Sequence, residues 1–345
     1  MLVLSRKKLL DAFSIVKSSV DYSGTFPVLE NVHMSGTKLT AYNRITGVQT
    51  TLRVKGVNAL IPFQKVFAFL KGISAEKVKM DVTEDKMVIQ AGKARIDLTL
   101  TSAEQFPEFD KTIALLKRAK PLPEDFKEAV GHCYPFASKD NTSAHLMGIH
   151  VHDNWIEATD GKRISIYKGK KSFVQGKGGV IPTEMARILS NIGKVDKLYI
   201  GKKIIASCGD SVVFSSAITS DFPDVHRFIP EVPKLYDFPK EALIKGLRRI
   251  IDFTDESKEL SFCKIEFGTS LKITYEGQVS EIKEVFNFGE VLHAEPFLVN
   301  PFLFLSMLSS CDKFSFAEAS ERGMLYGQSK DGRFKVVLSI MSQRS

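Results

Sequence analysis

Three times along this chain, at a spacing of about 120 residues, a short aliphatic run meets a proline and opens a helix-like pattern. Ile61-Pro62-Phe63-Gln64 leads into the apolar positions Val66, Phe67, Phe69 and Leu70 and stops at Gly72. Ile181-Pro182-Thr183-Glu184 leads into Met185, Ile188, Leu189 and Ile192 and stops at Gly193. Val299-Asn300-Pro301-Phe302 leads into Leu303, Leu305, Met307 and Leu308. A proline near the first helical turn gives up only a donor that would lack a partner there. The period is too long for a solenoid, whose units run to a few tens of residues, and implies a repeated domain.

Other landmarks keep the same step. Helices with polar starts are expected over Ser5–Val20, Pro123–Phe136 and Pro239–Phe253, because apolar residues recur there at three-and-four spacing. Alternating segments predict strands after each, at Lys38–Tyr42, Ile149–Ala158 and Leu271–Tyr275. Each proline-opened helix is succeeded by three more: Lys77–Val82, Met87–Ala91 and Ile96–Leu100; Lys197–Ile200, Ile204–Cys208 and Val212–Ala217; Lys313–Ala317, Met324–Gln328 and Phe334–Leu338. Gln105-Phe106-Pro107-Glu108 and Asp221-Phe222-Pro223-Asp224 close the first two copies. Linkers are expected near Lys117–Pro123 and Pro230–Asp237, dividing the chain into 1–117, 118–234 and 235–345. The class is α+β: three copies of one domain, each with two helices packed on antiparallel sheets.

The segment Ile156–Tyr167 reads as strand, tight turn and strand around Asp160-Gly161, a strong hairpin signal. Corresponding positions of the other copies carry Ala41-Tyr42-Asn43 and Ile273-Thr274-Tyr275. No catalytic constellation emerges, and no cofactor is implied. Gly176, Gly178 and Gly179 lack a succeeding Lys-Ser/Thr and precede a strand, so they form a loop rather than a phosphate cradle. His150 and His152 share one face of a strand, but sequence offers no third ligand, so they read as partly exposed histidines and no metal site is assigned. Ser5, Lys7 and Asp11 read as helix cap and solvated face.

Cys133, Cys208, Cys263 and Cys311 stand far apart, which predicts buried reduced thiols and a cytoplasmic location. No stretch is long and apolar enough to suggest a signal peptide or a membrane helix. A net charge of +8 permits a polyanionic partner without demanding one.

Taken together, the triple repeat, Ala158-Thr159-Asp160-Gly161-Lys162-Arg163, Phe222-Pro223-Asp224 and Thr25-Phe26-Pro27-Val28-Leu29-Glu30-Asn31 resemble the bacterial β sliding clamp family, the processivity subunit of replicative DNA polymerase III. The likeness covers essentially the whole chain and is that of a divergent clamp, of the kind a phage or plasmid carries. It implies a non-catalytic head-to-tail homodimer whose ring encircles duplex DNA and serves a DNA polymerase and a clamp loader. Lysines and arginines on hole-facing helices would then attract phosphate without reading sequence; by helical face these are Lys7, Lys17, Lys65, Lys71, Lys127, Lys139, Arg187, Lys245, Arg248 and Arg249.

The resemblance also implies a hydrophobic pocket for partner peptides. Matching positions are Leu146, Thr159, Gly161, Lys162, Arg163, Ile164, Pro223, Arg227, Phe228, Asn300, Leu303, Val336, Val337, Leu338 and Ile340. Ile164, Val336 and Leu338 read equally as plain core. Ile96 and Leu98 match one side of the family's dimer interface and Phe253 the other. Several positions depart from the family pattern. Asp21-Tyr22-Ser23-Gly24 lacks the arginine of the DNA-contacting loop, and Ala144-His145 stands for an aromatic pair. Lys162 replaces a histidine, Asp252 replaces an apolar interface residue, and the tail Ser339–Ser345 differs from the usual ending. Two alternatives remain on the residues alone: an α+β enzyme with an unrecognised site, and a clamp-fold scaffold that does not encircle DNA.

Overall fold

Strands that lie far apart in sequence pair side by side in this computed structural model. It describes all residues except Met1, Arg53, 55–56, Glu84, 230–234, Phe238, 255–256, Glu259, 288–295, 316–322 and 343–345. Much of the expected linker at Pro230–Asp237, the end of the expected strand Lys313–Ala317 and the last residues of the tail therefore lie outside the described residues. The helices are α1 (Arg6–Val16), α2 (Phe63–Gly72), α3 (Asp110–Ile113), α4 (Phe126–Cys133), α5 (Thr183–Asn191), α6 (Lys240–Asp252) and α7 (Pro301–Ser310). The chain forms two compact units, Met1–Gly131 with Phe173–Thr219, and His132–Ser172 with Ser220–Ser345.

In the first unit one antiparallel sheet runs in the order Asn58–Pro62, Asn31–Ser35, Lys38–Tyr42, Thr46–Thr51, Ser211–Ser216, Lys203–Cys208, Lys197–Ile200, Lys120–Pro121. Its two halves join where Val48 faces Val213 and Thr50 faces Ser211. The buried Ser211 hydroxyl donates to Thr50 Oγ1 at 2.8 Å there. Gly47 lies on this seam because a Cβ would overlap the Phe214 ring. A second sheet runs Leu2–Ser5, Lys77–Val82, Lys86–Ala91, Ala94–Thr99. Helix α1 buries Leu9, Ala12, Phe13 and Val16, and the Phe13 ring stacks on Phe63 of α2 at 5.7 Å.

The second unit repeats the plan. Its first sheet includes, in order, Gly148–His152, Trp155–Thr159, Arg163–Lys168, Phe334–Ser339, Met324–Gln328, Lys313–Ser315 and Tyr236–Asp237. The joining register is Arg163 to Leu338, Ile164 to Val337 and Ser165 to Val336. The other sheet runs Glu281–Asn287, Ser270–Glu276, Cys263–Glu266, Phe297–Val299, Met341–Ser342. Helix α6 buries Leu243, Gly246, Leu247 and Ile250 and exposes Lys245, Arg248 and Arg249, as its spacing predicts. Gly246 admits the Phe286 ring, which a Cβ would overlap.

One expected element is corrected. Ile149–Ala158 is not a single strand: the chain reverses at Asp153-Asn154, with Asp153 at φ +43°, so Gly148–His152 and Trp155–Thr159 pair as a hairpin. A short Asp-Asn pair tolerates that left-handed backbone, and its polarity outweighs the apolar alternation around it. All four cysteines are free and buried, and burial pushes the Cys208 and Cys263 thiols up to about 12.

Candidate functional site

The Asp160-Gly161 turn is held by its own side chains. Asp160 Oδ1 accepts from the backbone N–H groups of Lys162 and Arg163, both at 3.0 Å. Thr159 Oγ1 donates to Arg163 O at 2.8 Å and accepts from Gly161 N at 3.1 Å. Gly161 sits at φ +83°, a conformation that disfavours any Cβ. Arg163 then reaches away from the turn. Its Nε donates to Asp160 Oδ2 at 2.8 Å, one terminal nitrogen to Ser306 Oγ of α7 at 2.7 Å and the other to Pro135 O at 2.9 Å. The guanidinium also lies over the Phe136 ring, 4.6 Å from its centroid. The hairpin, α7 and the Tyr134–Phe136 turn are thus locked through one side chain that is 11% exposed.

Around this lock the expected pocket residues divide into two groups. Val336, Val337, Leu338 and Ile340 are buried, and the first three take part in the sheet, so the structure gives them core positions rather than an exposed wall. Asn300 is a helix cap: its Oδ1 accepts from Phe302 N and Leu303 N at 3.0 and 3.1 Å, and its Nδ2 donates to Lys258 O at 2.6 Å. Leu146, Ile164, Pro223 and Leu303 keep part of their surface, Lys162 and Arg227 are exposed, and Phe228 is 41% exposed with Arg227 over its ring.

The chain carrying Pro223, Arg227 and Phe228 is tied to the same unit by His226, whose Nε2 stands 2.5 Å from Glu157 Oε1. That contact belongs to a cluster that spacing along the sequence does not reveal. Glu157, 3% exposed, also faces His150 Nδ1 at 3.2 Å and His152 Nε2 at 3.1 Å. Burial raises the Glu157 carboxyl, but its histidine neighbours outweigh this and hold it at about 2. The same contact with Glu157 raises His152. The third ligand that the sequence lacked is supplied by the cross-strand register, which sets His150 opposite Glu157.

The basic residues fall on exposed helix surface with three qualifications, the first being that Lys139 lies in irregular chain beyond the Tyr134–Phe136 turn and not on a helical face. Lys7, Lys17, Lys65, Lys71, Lys139, Arg187, Lys245 and Arg248 are exposed, whereas Lys127 is half-buried. Lys17 and Lys71 approach the Phe67 ring at 5.7 and 5.3 Å, which places charges from two segments on one patch. Arg187 lines a groove of about 1050 Å³ with residues of α1, among them Lys8 and Ile15. Arg249 is committed: it forms a two-pronged pair with Glu284, at 2.6 and 2.8 Å, and is not a free cation. The Asp21–Gly24 loop is a turn in which Asp21 Oδ1 accepts from Ser23 N at 2.8 Å.

Of the expected interface residues, Phe253 is 52% exposed, Ile96 is half-buried and Leu98 points into the core. Ala94–Thr99 and Glu281–Asn287 each end their sheet among the described residues. Unpaired edges of this kind invite another strand.

Both the sequence and the fold have counterparts among known proteins. Residues 1–110 match the family described as DNA polymerase III beta subunit, N-terminal domain. A Beta sliding clamp from Caulobacter vibrioides is 22% identical over 318 residues, spanning 84% of this chain and 85% of the relative. One from Proteus mirabilis is 22% identical over 256 residues, spanning 67% and 68%. Among solved structures, a DNA polymerase sliding clamp from Pseudomonas aeruginosa superposes with TM-score 0.81 at 19% identity, covering 99% of both chains. The DNA polymerase III beta subunit from Thermotoga maritima does so with TM-score 0.79 at 17% identity, covering 99% of this chain and 98% of the other.

Proposed function

We propose that this chain, a divergent member of the β sliding clamp family, pairs head to tail with a second copy to close a ring on duplex DNA and tether replication proteins to it. The observation that carries the reading is fold likeness to clamps along 99% of the chain. In this reading the chain comprises three clamp domains, 1–117, 118–234 and 235–345, and works in the cytoplasm of a bacterium or of a phage-infected cell. No helix among the described residues is long and apolar enough to cross a membrane.

A ring holds DNA by topology, so its contacts with phosphate need only be weak and independent of sequence. The exposed lysines of α1 and α2, with Arg187 and the α6 cations Lys245 and Arg248, suit that role. Closure is proposed to join the Ala94–Thr99 edge of one copy to the Glu281–Asn287 edge of the other, with Phe253 covered beside the seam. Two such heterologous contacts close a ring instead of growing a filament.

Partner peptides are proposed to dock over Leu146, Ile164, Pro223, Leu303 and Phe228, with the Thr159–Arg163 turn as floor. Arg163, Asn300 and the buried Val336–Leu338 strand support that floor from below. A few aliphatic anchors in such a pocket supply most of the affinity, and exposed polar groups fix the peptide backbone. The chain performs no chemistry in this role; a polymerase and a clamp loader would be its partners.

The test is retention on DNA. The protein is loaded on nicked circular DNA with its cognate loader and polymerase-free buffer, then the circle is linearised. A clamp co-elutes with the circle and is lost from the linear form. Equal retention on both forms, or a failure to load together with retained peptide binding, would favour the scaffold that does not encircle DNA.

A further inference from the structure

In the clamp reading the His150–His152–Glu157–His226 cluster only ties down the segment that carries Pro223 and Phe228, and its chemistry points to more than that. Glu157 is a carboxylate with its side chain 3% exposed. Its Oε1 has no hydrogen-bond partner, although two imidazole nitrogens stand 3.1 and 2.5 Å away. Three imidazoles therefore converge on one buried anion. A divalent cation would take the neutral imidazoles of His150 and His152 and the Glu157 carboxylate as ligands, with His226 beside the same carboxylate to complete the set.

The geometry fits. One donor atom each from His150, His152 and Glu157 lies within 4.8 Å of the others. In a tetrahedral zinc centre with bonds of about 2.0–2.1 Å, ligand atoms are about 3.3 Å apart. The nitrogen–oxygen separations here are 3.2 Å from His150 to Glu157 Oε2, and 3.1 Å from His152 and 2.5 Å from His226 to Oε1; His226 stands against the carboxylate but outside the mutually close group of His150, His152 and Glu157. His226, the most exposed of the three rings at 39%, is the one that would have to turn to join that group. His150 and His152 stack at 4.5 Å on one face of a strand, and Glu157 is fixed opposite His150 by the hairpin register. His226 comes from a different segment, the His226–Phe228 turn. Phe222 stacks on His150 at 5.1 Å, and Trp155 meets His226 edge-on at 5.0 Å, which walls the site with aromatic surface.

We infer that His150, His152, Glu157 and His226 form a structural site for one transition-metal dication, with zinc the ion that the donors fit best. Three imidazoles and one carboxylate suit a borderline ion and offer too few oxygens for calcium or magnesium. The ion would staple the Phe222–Phe228 segment to the Gly148–Thr159 hairpin. Such a site is independent of whether the chain encircles DNA.

Untagged full-length protein is stripped with chelator and titrated with zinc chloride by calorimetry and with cobalt chloride by visible absorption. The expected result is one ion per chain, intense tetrahedral cobalt bands and a higher melting temperature with zinc. His226→Ala should weaken zinc binding at least tenfold, and because it also deletes the ion pair with Glu157, its metal-free melting temperature is measured alongside and the affinity is compared only in protein shown to be folded. His152→Ala should do the same to the affinity, with its fold checked by circular dichroism. Absence of saturable one-to-one binding, a weak octahedral cobalt spectrum, or wild-type affinity in His226→Ala would each overturn the assignment.

Discussion

Removing the charge of Arg163 tests how the hairpin is anchored. Arg163→Met keeps the aliphatic stem and deletes three hydrogen bonds, to Asp160, Ser306 and Pro135. Bonds to a charged group contribute about 1.5–3 kcal/mol each when sheltered, yet they do not add when they share one donor group. Asp160 keeps its two backbone donors and is 17% exposed, so it is not left as a bare buried charge. The loss should therefore fall below the roughly 3–5 kcal/mol of a broken fully buried pair, at about 2–3 kcal/mol.

Ser306→Ala removes one of those bonds and should cost about 1 kcal/mol. Because both changes delete the same contact, the double variant should be only as unstable as Arg163→Met, within about 0.5 kcal/mol. Trp155, the single tryptophan of the chain, lies in the strand that pairs with Arg163–Lys168 and reports on this unit in urea unfolding. A loss under about 1 kcal/mol for Arg163→Met, or full additivity in the double variant, would refute the view that this guanidinium locks the turn to α7.

Three further outcomes are expected. Gly47→Ala places a methyl group against the buried Phe214 ring and should cost about 2–3 kcal/mol in the first unit, seen as a lower melting temperature that Gly47→Ala with Phe214→Leu partly restores. Phe253→Asp should turn a dimer into monomers in light scattering without altering circular dichroism, since the ring is half exposed and its loss disturbs no core; a dimer of unchanged stability would remove Phe253 from the interface. Glu284 is held below its ordinary value of 4.5, first of all by its hydrogen bonds from Arg249. A depressed carboxyl stabilises the fold above its unfolded value and loses that contribution as pH falls through the folded one. Glu284→Gln should thus lower the urea midpoint at pH 7, and the gap from wild type should shrink below about pH 4.5 and vanish in stronger acid.

Much of the fold was legible because helix-forming and strand-forming periodicities recur in step. Expected boundaries such as Lys38–Tyr42, Lys77–Val82 and Lys197–Ile200 coincide with the observed strands. The joining of Thr46–Thr51 to Ser211–Ser216 was not legible, because long-range strand partners leave no local pattern. At the hairpin the copies are also more alike than their sequences suggest. Asn43 and Asp160 make the same turn: each accepts side-chain bonds from the residues two and three ahead, with Arg44 at φ +76° where Gly161 has +83°. In both, the turn residue's N–H also donates to the carbonyl three residues on. The copies differ in the residue at that third position, Thr46 against Arg163, and only the arginine reaches another helix.

The histidine cluster shows most clearly what periodicity conceals. In one continuous strand over Ile149–Ala158, successive side chains alternate between faces. His150 and Glu157 are seven positions apart in the sequence, an odd step that would send them to opposite faces. The reversal at Asp153-Asn154 removes that parity and sets them directly opposite each other. His226 then arrives from beyond Phe222-Pro223-Asp224, a distance that no local pattern spans. The available signal was Asp153-Asn154 itself, a turn pair inside an apolar run. Reading it as a turn places a carboxylate beside two histidines, which is the minimum that a metal requires before a third element closes the site.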